Sequence, residues 1–234
     1  MSNPLGQVIS KPSGRRLVIS DIHGCYSTLQ SLISKISLTD NDQLIFLGDY
    51  INKGPSSKEV LDYIIRLSSD YNVYPALGNH DKMLLDYLLE PSNPNHSELL
   101  KELGNEDFFA LSETERKGYI DFLSSLHYYF ISGEYILVHA GINFNLSNPF
   151  LGKEDMLNIR EFYYDSSKAQ NKTIVHGHLP YEKRDILERI KTRSKILPID
   201  NGCVYSGERV GMGELLCLNL DTAEIISQQM RDKS

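Results

Sequence analysis

Tryptophan is absent from this 234-residue sequence, and cysteine occurs only three times, at Cys25, Cys203 and Cys217. The three show neither metal-site spacing nor a disulfide framework, and an odd count fits a reducing cytosol better than secretion. Long apolar runs are missing too. Nothing reaches membrane-spanning length, and Met1 to Ser13 is polar, with Pro4 and Pro12 and no apolar core of signal length. The sequence therefore predicts a cytoplasmic protein with no membrane partner. Positive charge is in short supply, 24 Lys and Arg against 31 Asp and Glu, so at a net charge of -7 no basic face advertises nucleic acid. There is no internal repeat, low-complexity tract or interdomain linker. One domain over residues 1–234 is the expectation, and the length suffices for a well-buried α/β core.

What is present is a set of short apolar runs, each ending in a polar turn. Leu44 to Leu47 reads as a buried strand that stops at Gly48-Asp49-Tyr50-Ile51-Asn52-Lys53-Gly54, before a helix start at Pro55-Ser56. Leu17 to Ile19 runs into Ser20-Asp21-Ile22-His23-Gly24, and Val73 to Leu77 into Gly78-Asn79-His80-Asp81. Between them, Tyr26 to Ile36 and Ser57 to Leu67 carry apolar residues at helical spacing. Alternating strands and helices imply parallel pairing with right-handed crossovers, and ligands in such sheets sit at the carboxyl ends of the strands. All three turns lie at such ends.

From Lys82 to Leu126 the pattern becomes helical (83–89, 97–103 and 113–126), broken by Pro91 to Asn95, and reads as an inserted helical cap at about 82–126. Strands return at 128–131 and 135–138, the latter ending in His139-Ala140-Gly141. Asp155 to Tyr164 reads as helical, and Thr173 to Val175 as a strand running into His176-Gly177-His178. The remainder reads as β-rich, with strands at 195–199, 214–220 and 224–228, and Met230 to Ser234 as a frayed end. Two sheets flanked by helices are the natural packing of this order.

Asp21, His23, Asp49, Asn79, His139 and His178 together make a mixed oxygen and nitrogen ligand set, suited to Mn, Fe or Zn more than to Ca. A carboxylate at a strand end can bridge two cations, and Asp49 is the candidate bridge. Two cations so held can clamp a phosphoryl group and activate a shared water for in-line attack on phosphorus.

Asp21-Ile22-His23-Gly24, Gly48-Asp49-Tyr50, Gly78-Asn79-His80-Asp81, His139-Ala140-Gly141 and Gly177-His178 stand in the order of the calcineurin-like metallophosphoesterases. The chain resembles, in particular, the bacterial and phage branch of the phosphoprotein phosphatases, from about Arg15 to Leu220. That resemblance implies an α/β fold, the four-layer α/β/β/α metallophosphoesterase sandwich, with manganese as a common activating metal. It implies that Asp21, His23 and Asp49 hold one metal, that Asp49, Asn79, His139 and His178 hold the other, and that His80 protonates the leaving oxygen. His176 would stand behind His178, the two facing the same side if the strand continues.

The chain departs from that family's second motif, Gly-Asp-x-x-Asp-Arg-Gly, by carrying Asn52 and Lys53. Lysine keeps the charge but loses the planar two-pronged donor. Asn52 stands where a carboxylate would orient the acid histidine, and supplies no charge to hold an imidazolium. Leu77 replaces an arginine and Asp81 a glutamate. Arg160, in Met156 to Phe162, resembles the family's helical arginine segment and is the first phosphate-binding candidate, with Lys53 second. The leading functional expectation is a serine/threonine-type protein phosphatase, a phosphomonoesterase acting on phosphoproteins or small phosphate esters by attack of a metal-bound hydroxide. A symmetrical dinucleoside polyphosphate hydrolase is the alternative, and a metal-binding regulatory protein with weakened catalysis is a third.

Overall fold

The strands are short, those at the centres of the sheets mostly buried, and they assemble as two five-stranded sheets in the computed structural model, which describes residues 4–232. In chain order the elements are β1 (Gly6–Val8), β2 (Arg16–Ile19), α1 (Tyr26–Ile36), β3 (Gln43–Phe46), α2 (Ser57–Asp70) and β4 (Val73–Pro75). Next come α3 (Asn79–Leu89), α4 (Pro94–Glu102), α5 (Glu113–Ser125), β5 (Tyr129–Ser132), β6 (Tyr135–Val138) and α6 (Lys153–Asn158). The chain ends through β7 (Thr173–His176), α7 (Lys183–Lys191), β8 (Ile196–Pro198), β9 (Glu214–Asn219) and β10 (Ile225–Gln229). One sheet runs β10-β9-β2-β3-β4 and the other β1-β5-β6-β7-β8. The pairs β2/β3, β3/β4, β6/β7 and β7/β8 are parallel, as strand and helix alternation requires.

Alternation along each strand explains the layers, because successive side chains point to opposite faces. Val18, Ile45 and Leu218 of the first sheet share a cluster with Phe130, Leu137 and Val175 of the second, which places the two sheets face to face. Leu17, Ile19, Leu44 and Phe46 turn the other way, onto Leu29 and Leu32 of α1 and Val60, Leu61 and Ile64 of α2. The result is the α/β/β/α sandwich. Arg16, 2% exposed, ties the layers by donating to Asp221 beside its own sheet and to the Ser132 carbonyl and Glu134 at the β5–β6 turn.

Asp42 fixes the turn before β3. It accepts from the Arg15 backbone at 2.8 Å, from the Arg15 guanidinium at 2.7 Å and from the Thr39 backbone at 3.0 Å, at 2% exposure. The Arg15 guanidinium holds its carboxyl well below the usual carboxylate range. Because the folded-state pKa is depressed, this stabilisation is fully present above the ordinary carboxylate value and is lost as pH falls through the folded one. Asp42→Asn is expected to lower stability by about 1–2 kcal/mol at neutral pH, the half-exposed Arg15 being partly screened by solvent. Melting curves of the two proteins should converge in acid, and parallel curves would refute the assignment.

Several expectations are corrected. The segment 155–164 is helical only in its first part, since α6 ends at Asn158 and Arg160 lies in extended chain beyond it. The helix expected at 97–103 begins earlier, at Pro94 inside the stretch expected to separate the helices, where a missing N–H costs nothing. The β-rich remainder also contains α7, and the polar N-terminus contributes β1, paired in parallel with β5. The end of the chain is not frayed up to Asp232: its carboxylate accepts the backbone N–H of Ser27 and Thr28 at 2.8 and 3.0 Å, capping α1. Residues 233 and 234, the rest of that expectation, lie outside the described residues.

Candidate metal centre

The turns that follow β2, β3, β4, β6 and β7 meet at one edge of the sandwich. Their backbone is unusual: His23, Asp49, Asn52, Lys53 and His178 all have positive φ, between 49° and 73°. Left-handed backbone costs a non-glycine residue about 1–2 kcal/mol, so the surrounding structure must impose it. One device is Asp81, fully buried at the start of α3, whose carboxylate accepts the backbone N–H groups of Asp49, Tyr50 and Gly78 at 2.8–2.9 Å. Another is Gly78, where an added Cβ would lie 2.2 Å from the Asp49 nitrogen. The unusual fourth residue of the Gly-Asn-His-Asp motif is therefore a clamp on the Asp49 turn.

Asp49 presents one oxygen to each half of the site. Its Oδ1 lies 3.4 Å from His139 Nε2, and its Oδ2 lies 3.7 Å from His23 Nε2 and 3.9 Å from His80 Nε2. On the first side, His139 Nδ1 donates to the Leu47 carbonyl at 3.0 Å, which leaves a bare lone pair on Nε2. That lone pair faces the oxygen of Asn79 at 2.9 Å, and His178 Nδ1 lies 3.2 Å from both. On the second side, His23 Nδ1 donates to the Ile51 carbonyl at 3.0 Å, turning its Nε2 lone pair toward Asp49 and Asp21, whose Oδ2 lies 3.9 Å away. His178 Nε2 is buried without a partner.

Burial keeps the imidazoles neutral. His23 and His178 are pushed down to about 4 and His139 below its usual value, each by desolvation first. His80 falls to about 2, by burial and then by the neighbouring charges of His23 and Lys53. Asp49 is raised well above the carboxylate range by burial and by Asp21. Carboxylate oxygens, imidazole nitrogens and an amide oxygen converge from several turns, as the ligands of a cation do. The donor set of carboxylate, imidazole and amide oxygen thus fits divalent metal ions. Among the described residues, two groups have ligand atoms mutually close enough for a cation: His23, Asp49 and His80, and Asp49, His139 and His178.

Each residue singled out in the sequence has a place. Asp21 is 2% exposed and accepts from the His178 backbone at 3.0 Å and from Ser20 Oγ at 2.6 Å. Lys53 turns inward, its Nζ 2.8 Å from His23 Nε2 and 5.7 Å from the Tyr205 ring centre, so its ammonium already lies among the ligand atoms. Arg160 is exposed, and its charge reaches His178. His176 does not share the ligand cluster. It packs edge-on against Phe162 with centroids 5.5 Å apart, because the positive φ of His178 turns the chain after Gly177. Asn52 touches His80 Nδ1 through its side-chain amide.

Two residues escaped the sequence reading. Asp200, 4% exposed, is raised by burial and by the charge of Asp21, and Lys53 also acts on it. Its signal was available: Ile199-Asp200-Asn201-Gly202 follows an apolar strand, as the other turns do. Asn105, from the loop after α4, hydrogen-bonds Asn52. Nothing local announced it.

The sequence profile of the calcineurin-like phosphoesterases matches residues 14–218. The symmetrical bis(5'-nucleosyl)-tetraphosphatase of Coxiella burnetii is 36% identical over 144 residues, which cover 59% of this chain and 46% of the relative. The matched stretch thus spans about half that relative's length. The asymmetrical bis(5'-nucleosyl)-tetraphosphatase of Bacillus subtilis is 28% identical over 224 residues, covering 83% of this chain and 88% of the relative. A protein serine/threonine phosphatase of Saccharomyces cerevisiae shares the fold at a TM-score of 0.67 and 14% identity, covering 99% of this chain and 85% of that one. With a profile match over most of its length, this chain belongs to the calcineurin-like phosphoesterase family.

Proposed function

We propose that this protein hydrolyses a phosphorus–oxygen bond at a centre of two divalent cations, and that its substrate is a dinucleoside polyphosphate. The observation that carries the reaction is the convergence of imidazole nitrogens on the Asp49 carboxylate, one of its oxygens serving each half of the site. Asp21, His23 and Asp49 would hold one cation, and Asp49, Asn79, His139 and His178 the other. Bound there, the cations, manganese in this proposal, supply Lewis acidity that polarises the phosphoryl oxygens and makes water a nucleophile near neutral pH.

The chain's own residues do the rest. Arg160 and Lys53 bind phosphate oxygens as cationic donors. His80, with Nε2 3.9 Å from Asp49 Oδ2, faces the oxygen that leaves. The polyphosphate substrate is supported by the names of the relatives in Coxiella and Bacillus, which divide between symmetrical and asymmetrical cleavage. The phosphoprotein reading rests on motif resemblance and enters as an arm of the test.

Purified protein with manganese is assayed against diadenosine tetraphosphate, p-nitrophenyl phosphate and a phosphoserine peptide, with products separated to tell two diphosphates from a triphosphate and a monophosphate. Turnover of diadenosine tetraphosphate is expected, falling about 10²-fold or more in His80→Ala. A preference for the phosphopeptide would overturn the substrate. Bound metal with no turnover of any of the three would favour a regulatory metal-binding role.

A further inference from the structure

The loop between α4 and the short 3-10 turn at Glu106–Phe109 drives one side chain into the site. Gly104 takes a left-handed backbone with φ of 72°, and Asn105 follows with 1% of its surface exposed. Its Nδ2 donates to the Leu103 carbonyl at 2.9 Å and to the Asn52 side-chain oxygen. A carbonyl can only accept. Turning the Asn105 amide over would set its oxygen against the Leu103 oxygen, so this bond decides which end of Asn105 meets Asn52. The Asn105 oxygen is buried without a partner, and an amino group turned into that place would be equally unpartnered.

Asn52 is thereby assigned as well. Its oxygen is taken by Asn105, which leaves its amino group for His80 Nδ1. An amino group has only hydrogens to offer, so His80 Nδ1 accepts and the ring proton sits on Nε2. A second proton on Nδ1 would meet the Asn52 hydrogens.

We propose that Asn105 is a positioning residue that locks His80, through Asn52, in the Nε2–H form, and that a site so wired selects leaving groups that depart without taking a proton. This rests on the reading of the site as a phosphorus–oxygen hydrolase with His80 facing the leaving oxygen. In the reaction the water oxygen bonds to phosphorus as the bond to the leaving oxygen breaks, and the electron pair of that bond departs with the leaving group. The water proton passes to solvent. A ring with a single N–H can donate a hydrogen bond to that oxygen, but surrendering the proton would leave an imidazolate. A nucleotide phosphate leaves readily as an anion, its second ionisation near pKa 6. A serine or threonine alkoxide does not, its conjugate acid being about as weak as water at about 15.7. The wiring therefore favours phosphoanhydrides over alkyl phosphate esters.

The test uses Asn105→Asp and Asn52→Asp, both close to isosteric. In Asn105→Asp the new carboxylate would draw the Asn52 amino group to itself, turn the Asn52 oxygen to His80 and reverse the chain of donors. With manganese, the wild type is expected to turn over diadenosine tetraphosphate and p-nitrophenyl phosphate, and ethyl phosphate and a phosphoserine peptide about 10²-fold or more slowly. Each variant should narrow that gap about tenfold or more through kcat for the alkyl esters, with KM unchanged. Nitrogen-15 spectra of the histidine rings, recorded with zinc, should show His80 protonated at Nε2 and bare at Nδ1 in the wild type, and the reverse in Asn105→Asp. A wild-type proton on Nδ1, or a phosphoserine peptide hydrolysed as fast as p-nitrophenyl phosphate, would overturn the proposal. Loss of all turnover with the expected spectra would instead refute the hydrolase reading and the leaving-group preference drawn from it, while the spectra support the Asn105–Asn52–His80 wiring.

Discussion

Asp49→Asn is expected to cut metal-dependent turnover by about 10³-fold or more, while raising the melting temperature of the metal-free protein. The first effect follows from position. The two carboxylate oxygens face His139 on one side and His23 on the other, so one substitution weakens both halves of the centre. Charge stabilisation by a catalytic metal is worth several kcal/mol, and about 4 kcal/mol corresponds to about 10³ in rate. The second effect follows from charge. Without cations, burial and Asp21 push the Asp49 carboxyl well above its ordinary range, so the folded state holds a proton that the unfolded chain releases. Stability of the metal-free protein is then greatest below the ordinary carboxylate value and declines as pH rises toward the folded value. The asparagine variant lacks that decline. Melting curves against pH, in chelator and in manganese, should show the variant more stable without metal and less stabilised by it. Unchanged turnover would remove Asp49 from the site.

Asp81→Ala should be the most damaging substitution outside the ligand set, lowering stability by about 3–6 kcal/mol. The estimate rests on three buried backbone N–H groups, those of Asp49, Tyr50 and Gly78, losing their acceptor at a position with no solvent exposure. For a chain of this length each kcal/mol shifts Tm by about 2–4 °C, so a fall of about 10 °C is expected by calorimetry. Burial and the charge of Asp49 push the Asp81 carboxyl up to about 7, against these three donors. Asp81→Asn keeps the shape but turns an amino group toward one of the donors, and should fall between. If Asp81→Ala melts within about 2 °C of the wild type, the clamp is not structural.

Much of this was legible because the chain repeats one local device, an apolar strand followed at once by a turn carrying Asp, Asn or His. Continuous apolar runs, buried on both faces, make such strands conspicuous, and parallel pairing brings their carboxyl ends together. The elements that escaped have weak local signals. All three residues of β1 are exposed, and it is a strand only because β5 offers it an edge. In α7, Lys-Arg-Asp-Ile-Leu-Glu-Arg-Ile-Lys, Ile186 and Ile190 keep helical spacing, but apolar residues are few among the charges and Ile186 alone is fully buried. Arg160 was expected on a helix, yet its segment leaves the helix after Asn158 with Ile159 extended.

The Asn52 departure was visible in the sequence as the loss of a carboxylate beside His80. What replaced it was not. The side chain that orients Asn52 comes from 53 residues further along, in the loop after α4, and is itself oriented by the carbonyl of Leu103. The sequence by itself determined most of the residues that gather at the candidate site, because side-chain type and strand-end position are local properties. Only the tertiary structure decided which nitrogen of each histidine is free, what Asp81 holds and which proton His80 carries. Hydrogen-bond direction depends on partners that meet only once the chain has folded.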